Sequence, residues 1–180
     1  EFNIPFMVTE HATFFENIGY LRSTVGCGGF VSNQFEQGAF YWRMNYFSRL
    51  SDIGKFKIRQ FVIADNTVGI RALETDSISL NNEKGIRGLR SRQTWGTKRF
   101  SWKMETVLFT PWNILGFRFA FFGFWDFGFI GDKAPVFAND YYTGIGAGVR
   151  IRNENLVFKT IQLRLSYYPV TPDDTEPWFL

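Results

Sequence analysis

The sequence predicts an all-β fold, a transmembrane up-and-down antiparallel β-barrel, from three observations. About seven strand-length stretches alternate apolar and polar residues at period two. Aromatic residues make up 19% of the chain, with 22 Phe, at an ordinary mean hydropathy. The links between the stretches alternate short and long. Successive side chains of a strand point to opposite faces, so this alternation gives each strand one apolar and one polar face. A membrane barrel turns the apolar face to lipid and keeps the charges inside. There is no run of about 18 apolar residues, which excludes a transmembrane helix but not barrel strands.

Strands are expected at 19–31, 38–50, 55–65, 97–110, 115–129, 140–152 and 157–168, with a weaker candidate at 2–8. The 19–31 stretch is glycine-rich and its faces are poorly resolved. In 38–50, Phe40, Trp42, Met44, Tyr46 and Leu50 oppose Tyr41, Arg43, Asn45 and Arg49. In 55–65, Lys55, Lys57 and Arg59 oppose Phe56, Ile58 and Val62. In 97–110, Phe100, Trp102, Met104 and Leu108 oppose Arg99, Ser101, Lys103 and Glu105. The clearest pattern runs from Phe117 to Phe129, where Phe117, Phe119, Phe121, Gly123, Trp125, Phe127 and Phe129 oppose Arg118, Ala120, Phe122, Phe124, Asp126 and Gly128. In 157–168, Ile161, Leu163, Leu165 and Tyr167 oppose Thr160, Gln162, Arg164 and Ser166.

Ser51–Gly54, Pro111–Asn113 and Asn153–Asn155 read as tight turns. Ser32–Gln37, Asn66–Gly96 and Gly131–Asn139 read as longer links, and Pro169–Glu176 fills the slot of another. Short periplasmic turns alternating with longer outside loops fit a meander of about 7–8 strands. A further strand is expected after Glu176, beyond the end of the chain. The whole of 1–180 reads as one barrel fragment, cut at both ends, with no signal peptide.

The net charge of +3 and the dispersed basic residues argue against a nucleic-acid partner. His11 is the single histidine and Cys27 the single cysteine, too few for a hydrolase dyad or a metal site. The chain is therefore read as non-enzymatic, with no catalytic residue, cofactor or metal. Cys27 is expected to pack as a small apolar residue. Gly144-x-Gly146-x-Gly148 lacks the strand–turn–helix context of a phosphate loop; it puts bare backbone on one strand face, with room for a loop to approach. Lys55, Lys57, Arg59, Arg43, Arg118, Arg150 and Arg164 would make a basic inner wall, either solvated and paired with loop carboxylates or forming an anion-selective path.

Asn66–Gly96 exceeds the length of most unstructured connections, which marks it as functional or disordered. Its middle is polar (Glu74, Thr75, Asp76, Ser77, Asn81, Asn82, Glu83, Lys84), and it ends in Gly85-Ile86-Arg87-Gly88-Leu89, a sharp turn presenting one arginine. Glu105 and Asp126 lie on the polar faces of the next two strands. An arginine folded inward has the planar donor fork to bond both. Spacing alone leaves open the simpler reading, in which each charge is solvated separately.

Ile86-Arg87-Gly88-Leu89 resembles the Val/Ile-Arg-Gly-Phe/Tyr loop motif of the BamA/TamA (outer-membrane protein 85) superfamily. Phe124-Trp125-Asp126-Phe127-Gly128 resembles its Phe/Trp-x-Asp-x-Gly strand motif. Met104-Glu105 with Phe109-Thr110-Pro111 is similar to the intervening strand, and 144–152 and 161–167 to the two that follow. The resemblance covers 85–180 well and 19–84 loosely; Leu89 departs from it where an aromatic is usual. It implies the C-terminal half of a 16-stranded barrel in the outer membrane of a Gram-negative cell, with periplasmic POTRA domains upstream. It implies assistance in inserting or translocating client outer-membrane or secreted proteins, contact with outer-membrane lipid, and accessory lipoprotein partners. Arg87 would be held by Glu105 and Asp126 in the lumen. Two other readings compete: a small complete barrel acting as porin or surface-binding protein, and a soluble β-sandwich.

Overall fold

The computed structural model describes residues 2–31, 35–70, 77–81, 84–153 and 160–179. It is an all-β, antiparallel chain built around eight long strands. These are β1 (Phe2–Phe15), β2 (Gly19–Val31), β3 (Phe35–Ser48), β5 (Phe56–Ile70), β8 (Lys98–Ile114), β9 (Phe117–Gly131), β10 (Asp140–Asn153) and β11 (Ile161–Val170). The short strands are β4 (Ser51–Ile53), β6 (Ile78–Ser79), β7 (Trp95–Gly96) and β12 (Trp178–Phe179), and one 3-10 turn covers Val136–Ala138. The main sheet runs β1-β2-β3-β5-β8-β9-β10-β11-β12, each strand antiparallel to its neighbour, with β4 paired to β5. It is open: among the described residues no ladder joins β1 to β11 or β12. A small complete barrel would require that ladder.

The predicted strands are all present, with shifted ends. The weak candidate at 2–8 is a full strand of 14 residues. β5 continues to Ile70, past the expected end at 65, because Asn66–Val68 pair with β3 on one side and β8 on the other. Backbone pairing on both edges outweighs the low strand propensity of Asn and Gly. β8 likewise runs through Pro111, expected to be a turn. The ladder shifts between Phe109 and Asn113, and such an irregularity tolerates a proline without an N–H. The reversal comes instead at Leu115 and Gly116, at φ 53° and 82°; positive φ at both positions is the two-residue turn that matches strand twist. The Ser51–Gly54 turn is likewise displaced: Ser51–Ile53 form β4, and Gly54 turns at φ 60°.

Among the other links, Ser32, Asn33, Gln34, Glu154 and Asn155 lie outside the described residues, as do 157–159 of the last predicted strand and Glu74, Thr75, Asp76, Asn82 and Glu83 of the long loop. A short strand after Glu176 lies within the chain, where the sequence reading expected none. Trp178 and Phe179 pair with Tyr167 and Ser166 of β11.

Cross-strand partners share a face, so the register sorts the sheet into two surfaces. One rung joins Arg59, Val107, Phe122, Gly148 and Arg164. The next joins Phe61, Glu105, Phe124, Gly146 and Ser166. The third joins Ile63, Lys103, Asp126 and Gly144. The long loop packs on this face, through the buried cluster Leu80, Ile86, Leu89, Ile130 and Tyr168. The opposite face carries Phe121, Trp125, Ile145, Leu163 and Leu165, all exposed. Cys27 lies exposed on that face, opposite Met7 and Phe40, rather than packed as expected.

Candidate functional site

The site is assembled where the long loop meets β8 and β9. Gly85 permits the approach: a Cβ there would lie 1.7 Å from the Leu80 carbonyl oxygen. Ile86 donates its N–H to that oxygen at 2.9 Å, and Leu89 donates to the Ile86 carbonyl at 3.2 Å. Ile86 and Leu89 are fully buried, one on each side of the arginine. Leu89 belongs to the buried cluster of Leu80, Ile86, Ile130 and Tyr168. Gly88 sits at φ 80°, where a Cβ would come 2.4 Å from the Tyr168 hydroxyl. Glycine is required there both by backbone geometry and by space.

Arg87 thus faces the sheet. Its Nε and Nη2 each donate to the Asp126 carboxylate at 2.8 Å, a bidentate pairing, and its backbone N–H adds a bond to the same carboxylate at 3.0 Å. Nη1 donates to Glu105 and Nη2 reaches the Met104 carbonyl at 3.3 Å. Asp126 has no solvent exposure. Glu105 is shared: Arg150 donates to its two oxygens at 2.7 and 3.0 Å. The expected Arg87–Glu105–Asp126 cluster is therefore formed, and separate solvation of the three charges is overturned.

Of the motif residues, Ile86, Arg87, Gly88, Leu89, Glu105, Asp126 and Gly128 come together. Gly128 lies under the loop, where a Cβ would meet Leu80 at 2.6 Å. Trp125 does not join them. It points to the uncovered face, 45% exposed, and donates its indole N–H to the Thr143 hydroxyl at 3.1 Å.

The alternation puts Phe122 and Phe124 on this face without a role, and Gly144, Gly146 and Gly148 as bare backbone beneath an approaching loop. Phe124 and Phe122 sit on the charged face, with the Arg87 guanidinium 4.5 Å above one ring and that of Arg150 4.2 Å above the other. Such stacking is favourable where water is displaced. Gly146 and Gly148 make room for these rings: a Cβ at either position would lie 2.6–2.7 Å from Phe124 or Phe122. Gly144 alone meets the loop itself, at Ile86. Large residues facing glycines on a neighbouring strand were the available sequence signal. Tyr168, from distant β11, donates its hydroxyl to the Arg87 carbonyl at 2.9 Å.

A second ion network holds the base of the loop. Asp65 is bonded by Arg43 and Arg99, each at 2.7 Å, and Arg99 also donates to the Ser79 carbonyl of β6 at 2.8 Å. At the rim, Asp132 accepts from the Thr97 N–H and hydroxyl at 2.8 and 2.9 Å. The Thr97 N–H chiefly holds that carboxyl below its ordinary value. Asp174 closes over the loop from the 171–177 segment, accepting from the Ser91 hydroxyl at 2.5 Å and the Arg92 N–H at 2.8 Å. The arrangement fixes a long loop to a sheet by buried charge pairing. Neither protein-family models, curated proteins nor solved structures yield a match to this chain.

Proposed function

We propose that this chain belongs to an outer-membrane β-barrel of the BamA/TamA type, which assists the insertion or translocation of client outer-membrane or secreted proteins without catalysing a reaction. The observation that carries the reading is the Arg87 anchor: a loop arginine between glycine and isoleucine, bonded to acidic residues on two successive strands. The order of these residues and their strand faces are those that the resemblance implies.

Two further features support a membrane setting. The face opposite the loop is apolar and uncovered by any second layer among the described residues. On it, aromatic contacts gather at two levels: Phe100, Trp102, Phe127 and Phe129 near the loop end, and Phe56, Trp112 and Phe121 near the tight turns. Trp102 and Trp112 are ten residues apart. At about 3.3 Å per residue and a tilt of about 40°, that is roughly 25 Å along the barrel axis, the height of a lipid-facing band between aromatic girdles. In this reading lipid covers the apolar face, further strands pair with the open edges, and accessory lipoproteins are the partners.

The test is reconstitution. In vesicles of outer-membrane lipids the protein should raise the folding rate of an unfolded outer-membrane protein added as client. Arg87→Ala should lower that gain by about tenfold, the effect of losing roughly 1.4 kcal/mol of the anchor's worth. A folding rate equal to that in empty vesicles sinks the reading.

A further inference from the structure

We infer that the loop between β9 and β10 is a preformed anchor for the interfacial layer of a lipid bilayer. The loop runs from Asp132 to Asn139 and contains the 3-10 turn. Asn139 turns its side chain onto the loop's own backbone. Its Oδ1 accepts from the Lys133 N–H at 2.8 Å, and its Nδ2 donates to the Lys133 and Val136 carbonyls, each at 2.9 Å. The Ala138 and Asn139 N–H groups close the turn onto the Pro135 and Val136 carbonyls at 3.0 and 3.2 Å. At the foot of the loop, the Lys98 ammonium donates to the Asp132 carbonyl at 2.7 Å. Pro135 has no N–H to satisfy. The loop thus meets much of its backbone hydrogen bonding internally, which is the condition for leaving water.

The surface of the loop is apolar. Among the described residues Ala134, Pro135, Phe137 and Ala138 are exposed, Phe137 by 59%. Phe137 does not turn over the loop-bearing face. It packs edge-on against Phe100 and Phe129, with ring centroids 5.4 and 5.3 Å away. Those two are direct cross-strand partners on the apolar face, and Phe129 also meets the exposed Tyr141. Phe137 therefore extends the aromatic level at the loop end by one ring that no strand supplies. A single exposed ring is ordinary on a soluble surface. This one is continuous with the whole apolar face and stands at its end. If lipid covers that face, this is the level of the headgroups, where aromatic side chains gather. The anchor rests on the proposed function for the membrane setting alone, and not for any effect on clients.

Depth is read by a nitroxide label on Ala138→Cys in a Cys27→Ser background, Cys27 being the single cysteine. The full protein is reconstituted in vesicles of phosphatidylcholine and phosphatidylglycerol. Collisions of the label with oxygen are compared with its collisions with a water-soluble nickel chelate. Oxygen should dominate at Ala138, at a depth of about 5–10 Å, the boundary of headgroups and acyl chains. Phe137→Asp in the same background should reverse that order, because a charge replaces the ring that holds the loop down. Nickel dominance with Phe137 intact overturns the inference, as does an unchanged reading in Phe137→Asp. Two further labels separate it from the membrane setting beneath it. Leu163→Cys lies on the apolar face of β11, and Glu176→Cys in the exposed link before β12. Oxygen should dominate at Leu163 and nickel at Glu176. Oxygen at Leu163 with nickel at Ala138 keeps the membrane setting and removes the anchor; nickel at Leu163 removes both. Oxygen at Glu176 as well as Ala138 also overturns the anchor, since the whole loop end would then lie in the membrane.

Discussion

All three guanidinium nitrogens of Arg87 find oxygen partners, and the two carboxylates they hold come from adjacent strands. Asp126 is completely buried, so removing Arg87 leaves a charge with no water to receive it. Truncation of one partner in such a pair costs about 3–5 kcal/mol, and a wet surrounding reduces this towards the lower end. Arg87→Ala and Asp126→Ala should each destabilise the folded protein to that extent in denaturant unfolding. The double variant should be little worse than either single one. Additive losses in the double-mutant cycle would count against direct pairing.

The long loop behaves as an element because it is fastened at three levels: by Arg99 at its base, by Arg87 at its tip, and by Asp174 from the neighbouring loop. The last fastening is the exposed one. The Ser91 hydroxyl, then the Arg92 N–H, hold the Asp174 carboxyl below its ordinary value. A carboxyl lowered by folding contributes fully above its unfolded value of about 4, and the contribution fades as pH falls through the lowered value. The clasp should therefore be constant through neutral pH and open only in acid. A carbon-detected NMR titration of Asp174 should show a midpoint below the usual carboxylate value, moving up in Ser91→Ala. At neutral pH, Asp174→Asn should speed tryptic cleavage at the exposed Arg90 and Arg92 by about fivefold, since local opening controls such cleavage. Unchanged cleavage would mean that the clasp does not restrain the loop.

At the scale of the molecule, charge and apolar surface are divided between the two faces of one open sheet. The loop-bearing face holds the ion networks, and the other exposes a continuous run of aromatic and aliphatic side chains. Such a surface exceeds what water-soluble monomers usually leave uncovered. The folded protein should therefore partition into the detergent-rich phase on Triton X-114 separation. Folded, monodisperse protein in plain buffer would remove the membrane reading and revive the sandwich.

Strand existence and facing were legible in the sequence because period-two alternation is a local property: in 97–110, 117–129 and 161–167 the faces read from sequence are those that the ladders impose. Arg87, Glu105 and Asp126 were legible as candidates, since the loop turn and the strand faces are each encoded over a few residues, but spacing left their pairing open and only the resemblance implied the cluster. Strand ends were less so. Pro111 and Asn66–Gly69 carry turn-like residues, yet pairing partners far away in sequence hold them extended. What tertiary structure alone decided is which distant side chains share a rung. That Phe122 and Phe124 support two arginines over glycines of β10, and that Tyr168 and Asp174 close over a loop some 80 residues earlier, both follow from register. Register is set by the whole ladder of hydrogen bonds and by the fit of large residues against small ones across strands, and no single stretch of this sequence contains it.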